Sequence, residues 1–166
     1  NNNEPNTHLN REDFTVKSNG KAVKDFILKK PEAFRPDPSR IIILLDMSGS
    51  MNKPDENNQI RGIAAIKAIR AFIDSINSQD LPAEIAIVPF AEGGKGCNKE
   101  AYLPPAVNDA AIDKFSSPNS PNLNSQLLDL ESKFQQDKKN KRPCGSTNIR
   151  EPLQVAIQYL ASKYSE

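Results

Sequence analysis

The sequence predicts an α/β domain of three layers, in which a mostly parallel central sheet is flanked by helices. Two largely apolar runs, from Ile41 to Leu45 and from Ala83 to Phe90, are typical of strands buried on both faces. Amphipathic stretches separate and follow these runs, and strands that alternate with helices are characteristic of this class. The 166 residues suit one domain with a core of ordinary size.

The amphipathic stretches predict four helices. The first, over residues 58–77, has isoleucines at steps of three and four residues, which form one apolar stripe. A short helix is predicted over residues 109–115 and a longer one over 124–136. The last is predicted within residues 146–164, with Pro152 in its first turn. The apolar face predicted for this last helix contains Ile149, Leu153, Ala156, Ile157 and Leu160.

The N-terminal part of the chain predicts a β-hairpin. Phe14 and Val16 alternate with polar residues, and Asn19-Gly20 is a dipeptide typical of tight hairpin turns. A proline-rich segment then leads to the first buried strand. We therefore divide the chain into a β extension with linker, residues 1–39, and a main domain, residues 40–166. Because an α/β domain would continue with a strand after the last helix, this division predicts a domain truncated at its C-terminus and lacking later strands.

Charge and hydropathy exclude several kinds of partner. The chain has 22 Lys and Arg against 21 Asp and Glu, for a net charge of +1, so we expect neither nucleic acid nor an anionic membrane surface as a partner. No apolar run is long enough to span a bilayer, so we predict no membrane insertion. The single histidine, His8, lies in a polar segment and is predicted to be a surface residue. The sequence does not determine the oligomeric state.

The end of the first buried strand carries a candidate metal site. Asp46 ends the strand, and Ser48 and Ser50 follow at two-residue steps. Parallel α/β sheets bind ligands at the carboxyl ends of their strands, so one loop can direct all three side chains to a single point. One carboxylate and two hydroxyls are hard oxygen ligands that suit Mg²⁺ or Mn²⁺ better than zinc. The alternative is that these side chains cap the following helix.

The segment DMSGSM after a buried strand resembles the D-x-S-x-S signature of von Willebrand factor A domains. A later loop, CGSTN, resembles the threonine loop of the same family, and LNREDFTVKSNGKAV resembles the β extension of some bacterial secreted members. The resemblance implies a Rossmann-like fold with a metal-ion-dependent adhesion site. It adds Thr147 to Asp46, Ser48 and Ser50 as metal ligands. The family's remaining acidic position would lie on a later strand, which residues 1–166 do not contain.

The resemblance implies a non-catalytic adhesion module. A bound Mg²⁺ or Mn²⁺ would bind an Asp or Glu of a protein ligand. In the family's fold, the loops that carry Cys97 and Cys144 would lie near the metal, which makes a disulfide between them plausible. Such a bond points to an extracytoplasmic location, and the resemblance implies a secreted or cell-surface bacterial protein. The alternative is two free thiols in a cytosolic protein.

Two other functions compete with metal-dependent adhesion. One is a scaffold or interaction module that works without metal. The other is a Mg²⁺-dependent hydrolase, because an aspartate after a buried strand also resembles the haloacid-dehalogenase phosphatases. That family has a second aspartate two residues later, where this chain has Ser48. The segment also lacks the G-x-S-x-G nucleophile motif, so we expect no enzymatic activity.

Overall fold

The computed structural model describes residues 11–24, 26–27, 37–94, 96–97, 103–136 and 141–164. The chain divides into two compact units, residues 1–37 and 38–166. The predicted surface residue His8 and most of the proline-rich linker lie outside the described residues.

The described part of the first unit contains the predicted hairpin. A short 3-10 helix, Arg11–Asp13, precedes strands β1 (Lys17–Ser18) and β2 (Lys21–Ala22), which pair antiparallel. Asn19 and Gly20 have φ angles of 50° and 77°. Positive φ at both central residues is the requirement of a type I′ turn, which explains the Asn-Gly dipeptide at this position.

The second unit is built on two parallel strands. Strands β3 (Ser39–Asp46) and β4 (Ala83–Phe90) pair over their full lengths, and helix α1 (Arg61–Ser78) connects them. Helices α2 (Asp109–Ile112), α3 (Pro121–Gln135) and α4 (Arg150–Tyr164) follow.

The helix boundaries follow from local capping. Helix α3 begins earlier than the apolar pattern predicts, because the Ser120 hydroxyl caps it and Pro121 takes the first helical position. Helix α2 is shorter than predicted and is capped by the Asn108 side chain. Both boundaries depend on polar residues outside the apolar stripe.

Helices cover both faces of the parallel pair. Leu45, Ile85 and Ile87 pack on one face with buried side chains of α1 and α3. On the other face, Val88 packs with Ile112 of α2 and with α4. Because successive strand residues point to opposite faces, each strand contributes to both clusters. None of the described helices has the length and apolar character needed to cross a membrane.

Two sequence predictions are corrected by the extent of the sheet. Among the described residues, the sheets are the short hairpin and the β3–β4 pair, so the protein is a mixed α/β domain and the larger Rossmann-like sheet is not confirmed. Strand β3 is also less buried than predicted, since only Leu45 within it is buried. The reason is that within those ranges β3 has a neighbouring strand on one side only.

The predicted apolar face of α4 is partly wrong. Ile149, Leu153 and Ile157 are exposed, whereas Ala156 is buried as predicted, together with Pro152 and Tyr159, which were not predicted. The buried face of α4 is therefore rotated about the helix axis from the predicted one. Tyr159 explains this rotation, because its hydroxyl donates a 2.5 Å hydrogen bond to Asp113, just beyond α2. A helix pattern that counts only aliphatic residues does not detect this partner.

Candidate binding site at the end of β3

Successive side chains of β3 point to alternate sides of the strand, and this alternation continues into the loop that follows it. The Met47 N–H donates to the Phe90 carbonyl at 2.8 Å, and the Met47 side chain is fully buried in the core. Asp46 and Ser48 therefore lie on the opposite side of the chain from Met47. Ser48 is 1% exposed and precedes a 3-10 helix, Gly49–Asn52, that carries Ser50.

The four side chains predicted as metal ligands are brought together. Asp46 Oδ1 accepts a 2.7 Å hydrogen bond from the Ser48 N–H, and the Ser48 and Ser50 hydroxyl oxygens are 2.9 Å apart. Thr147 Oγ1 lies 2.9 Å from Ser48 Oγ and 3.2 Å from Asp46 Oδ2. The result is a compact cluster of one carboxylate and three hydroxyls drawn from two distant loops.

The loop that carries Thr147 is held by main-chain contacts. The Gly49 N–H donates to the Gly145 carbonyl at 3.0 Å, and Glu92 and Ser146 exchange main-chain hydrogen bonds of 3.0 and 2.9 Å. Gly145 has a φ of 112°, and a Cβ there would overlap the Glu92 carbonyl. Glycine is therefore required for this close approach.

The predicted disulfide between Cys97 and Cys144 is confirmed. It joins positions 47 residues apart, with a Cα–Cα distance of 5.8 Å. Cys144 is three residues before Thr147, so the bond links the glycine-rich loop after β4 to the threonine loop.

Helix capping does not explain these side chains. The residue that caps α1 is Ile60, which makes no side-chain hydrogen bond to the helix. Ser48 begins the short 3-10 helix, but its hydroxyl does not cap that helix either. The alternative that Asp46, Ser48 and Ser50 serve as helix caps is therefore wrong.

The cluster fits a small divalent cation in its chemistry and spacing. Adjacent oxygens around Mg²⁺, with bonds of about 2.0–2.1 Å in an octahedron, lie about 2.9 Å apart. The hydroxyl separations in the cluster are 2.9 Å. The set supplies only one negative charge, and the described residues contain no group of three or more His, Cys, Asp or Glu that could hold a metal. These four side chains leave coordination positions that water could fill.

Two further residues support the site and were not predicted. The Asn52 amide donates to the Pro143 carbonyl at 2.5 Å, while its Oδ1 is buried without a partner in the described residues. Glu92 Oε2 accepts a 3.1 Å hydrogen bond from the Ser146 hydroxyl. No local pattern marks either residue, because their partners are 91 and 54 positions away.

Comparison with known proteins identifies distant structural neighbours. No protein-family model matches the chain, and no curated protein matches it. The pilus adhesin SpaC from Lactobacillus rhamnosus GG matches at 19% identity and a TM-score of 0.51, over 78% of this chain. The PilB minor pilin from Streptococcus sanguinis matches at 17% identity and a TM-score of 0.44, over 90% of this chain. The match spans 14% of SpaC and 32% of PilB.

These findings overturn the predicted membership of the von Willebrand factor A family. The structural match with a TM-score above 0.5 is to a pilus adhesin, and no family model matches. The described residues also contain no cluster of metal-binding acids, histidines or cysteines. The short motifs that suggested the family span only a few residues each. The SpaC match supports a fold in common with part of that protein.

Proposed function

We propose that this domain is a non-catalytic adhesion or protein-interaction module of a bacterial cell-surface protein, and that it binds its protein ligand through a divalent cation. Asp46, Ser48, Ser50 and Thr147 would hold Mg²⁺ or Mn²⁺. The cation would provide a positive centre to which a carboxylate of the ligand binds directly. The single observation that carries this proposal is the convergence of Thr147 with Asp46 and Ser48 across 101 and 99 positions.

The low charge of the cluster favours a ligand with a carboxylate. One carboxylate neutralises only half of the charge of a divalent cation, and Mg²⁺ retains several exchangeable positions when it has few protein ligands. An Asp or Glu of a partner would add the missing negative charge. The site would then be completed by the partner.

The proposed location draws on two observations. The Cys97–Cys144 disulfide is typical of proteins outside the reducing cytosol. The SpaC match shares the fold of this domain, and that protein is a pilus adhesin. An extracellular, cell-surface location in a Gram-positive bacterium is consistent with both.

A metal-independent interaction module is the second candidate. The observation that favours it is that the oxygens of the cluster are already in hydrogen-bond distance of one another. A cluster satisfied in this way can serve simply to join the two loops. The surface made by those loops would then bind a partner without a cation.

Calorimetric titration with MnCl₂ separates the two candidates. We expect binding by the wild-type chain and a loss of about tenfold or more in affinity for Thr147→Val, which keeps the shape and removes the hydroxyl. Ser146→Ala is the matched control, because its hydroxyl bonds Glu92 and not the cluster. If wild type and Thr147→Val bind Mn²⁺ equally, or neither binds, the metal-dependent function is rejected in favour of the second candidate.

Direct binding of a ligand carboxylate to the cation can be measured separately. Water-proton relaxation reports the exchangeable waters on bound Mn²⁺, so an aspartate-containing peptide that replaces one should lower the relaxation enhancement. The same peptide with asparagine in place of aspartate is the control. An equal response to both peptides would exclude direct carboxylate binding.

A further inference from the structure

Asn52 is the last residue of the 3-10 helix after β3, and its side chain contacts the segment that leads into the threonine loop. The Asn52 Nδ2 donates to the Pro143 carbonyl at 2.5 Å and lies 3.4 Å from the Gly49 carbonyl. Pro143 is buried and directly precedes Cys144 of the disulfide. The Asn52 amide therefore joins the loop after β3 to the start of the threonine loop.

Two hydrogen bonds hold the loop after β3 against the threonine loop, one on each side of Ser50. The Gly49 N–H donates to the Gly145 carbonyl at 3.0 Å, and the Asn52 amide bonds the Pro143 carbonyl. A loop held at one point can still pivot about that point, whereas a loop held at two points keeps its direction. Because Ser50 lies between the two contacts, both of them fix where its hydroxyl stands relative to the threonine loop.

Fold stability alone does not account for an asparagine at position 52. The Asn52 Oδ1 is buried and has no hydrogen-bond partner among the described residues, which lowers stability. The amide group is planar, so placing Nδ2 on the Pro143 carbonyl turns Oδ1 away from it. The bond made by Nδ2 and the acceptor left unpaired at Oδ1 have opposite effects on stability. The remaining contribution of Asn52 is the position that it gives to the two loops.

We propose that Asn52 is a positioning residue for the cation site, and this inference rests on the proposed metal-dependent function. Its amide bonds carbonyls outside the cluster, so Asn52 supplies no ligand. It holds the threonine loop in the direction in which Thr147 Oγ1 lies 2.9 Å from Ser48 Oγ, which in turn lies 2.9 Å from Ser50 Oγ. Ligands that are in place before the cation arrives lose less conformational entropy on binding, so this contact raises cation affinity.

Amide hydrogen exchange in the metal-free protein tests the positioning directly. Asn52→Leu removes the amide together with its unpaired oxygen. The Gly49 N–H, which bonds the Gly145 carbonyl in the neighbouring contact, should then exchange about three- to tenfold faster relative to the amides that join β3 and β4. Asn57→Leu is the matched control, because Asn57 is exposed and bonds Asp55 within its own loop, through its main-chain N–H. Unchanged Gly49 exchange in Asn52→Leu overturns the proposal.

Calorimetric titration with MnCl₂ measures the consequence for the cation. We expect the dissociation constant for Mn²⁺ to rise about three- to tenfold in Asn52→Leu and to keep its wild-type value in Asn57→Leu. The thermal unfolding midpoint of Asn52→Leu should stay within about 4 °C of the wild type, because the two effects on stability offset each other. Tyr159→Phe is the control for general destabilisation, since the Tyr159 hydroxyl bonds Asp113 and neither loop. Its midpoint should fall while its Mn²⁺ affinity stays unchanged.

The outcomes separate this positioning role from the function on which it rests. If the wild type and Asn52→Leu bind Mn²⁺ equally well, or if Tyr159→Phe loses as much affinity as Asn52→Leu, the positioning role is overturned and the metal-dependent function stands. If the wild type binds no Mn²⁺, the proposed function is rejected and the positioning role with it. Asn52→Ala also removes the amide, and it takes the place of Asn52→Leu in both experiments if the leucine variant does not fold.

Discussion

Thr147 Oγ1 lies 3.2 Å from Asp46 Oδ2, although the two residues are 101 positions apart in the chain. The contact connects the end of the first long strand to the loop before the last helix. The Gly49–Gly145 hydrogen bond joins the same two segments, and the Glu92–Ser146 pairing and the Cys97–Cys144 disulfide join the threonine loop to the loop after β4. The four side chains of the cluster are therefore held in position by the fold before any ligand binds.

Removal of the Asp46 carboxylate should abolish cation binding without unfolding the domain. Asp46→Asn keeps the side-chain shape and an acceptor for the Ser48 N–H, but it removes the only charge in the cluster. We expect no measurable Mn²⁺ binding by calorimetry and a thermal unfolding midpoint close to that of the wild type. Mn²⁺ binding retained by this variant would contradict the assigned site.

Loss of the disulfide should destabilise the domain. In Cys97→Ser combined with Cys144→Ser, the closed loop of 47 residues becomes open, and the expected loss is about 4 kcal/mol of unfolding free energy. Denaturant unfolding measures this loss. The wild-type chain under reducing conditions should behave like the double variant, and equal stability of oxidised and reduced wild type would refute the expectation.

A methyl group at position 62 should destabilise the domain. Gly62 is buried in α1, and a Cβ there would overlap the Phe134 ring of α3. Gly62→Ala should therefore cost about 1–3 kcal/mol from overpacking, although alanine favours an exposed helix by up to about 1 kcal/mol. Denaturant unfolding shows whether the unfolding free energy falls or rises in this variant. Phe134→Leu combined with Gly62→Ala is the control, because a smaller side chain should remove part of the clash.

The Tyr159 hydroxyl should make stability depend on alkaline pH. Its hydrogen bond to Asp113, together with burial, raises the pKa of Tyr159 above its ordinary value of about 10. The folded state therefore favours the protonated phenol, so this contribution to stability is complete below pH 10 and declines as pH rises toward the folded-state pKa.

Tyr159→Phe measures the size of that contribution. Removal of the hydroxyl should cost about 1.5–3 kcal/mol near neutral pH, because it removes a hydrogen bond to a charged group. The difference in unfolding free energy between wild type and variant should shrink above pH 10. A difference that stays constant from pH 8 to pH 11 would show that the phenol does not titrate with unfolding.

The positions of the main elements could be predicted because they depend on local patterns. The isoleucine stripe of α1, the apolar run of β4 and the Asn19-Gly20 turn each carry their own signal within a few residues. The boundaries of α2 and α3 differed from prediction, because the caps Asn108 and Ser120 lie outside the apolar stripe. In the sequence, the residues that cap a helix were therefore harder to recognise than the apolar periodicity of the helix itself.

The residues of the candidate site could be predicted from the sequence, but the residues that hold its two loops in place could not. Asp46, Ser48 and Ser50 share one loop, so their spacing is visible in the sequence, and the threonine loop has a recognisable composition. Asn52 and Glu92 act through partners in the distant threonine loop, to which no local pattern connects them. The predicted family was wrong, because short motifs constrain a few side chains and leave the rest of the chain undetermined.

The sequence by itself determined the parallel strand pair, the long helices, the oxygen-rich residues after β3 and the cysteines available for a disulfide. Only the tertiary structure decided which faces are buried. The partly exposed β3 and the rotated face of α4 illustrate this, since burial depends on the neighbours that an element finds in space. Hydrophobic periodicity records which residues can be buried, whereas contacts such as Tyr159 with Asp113 determine which of them are.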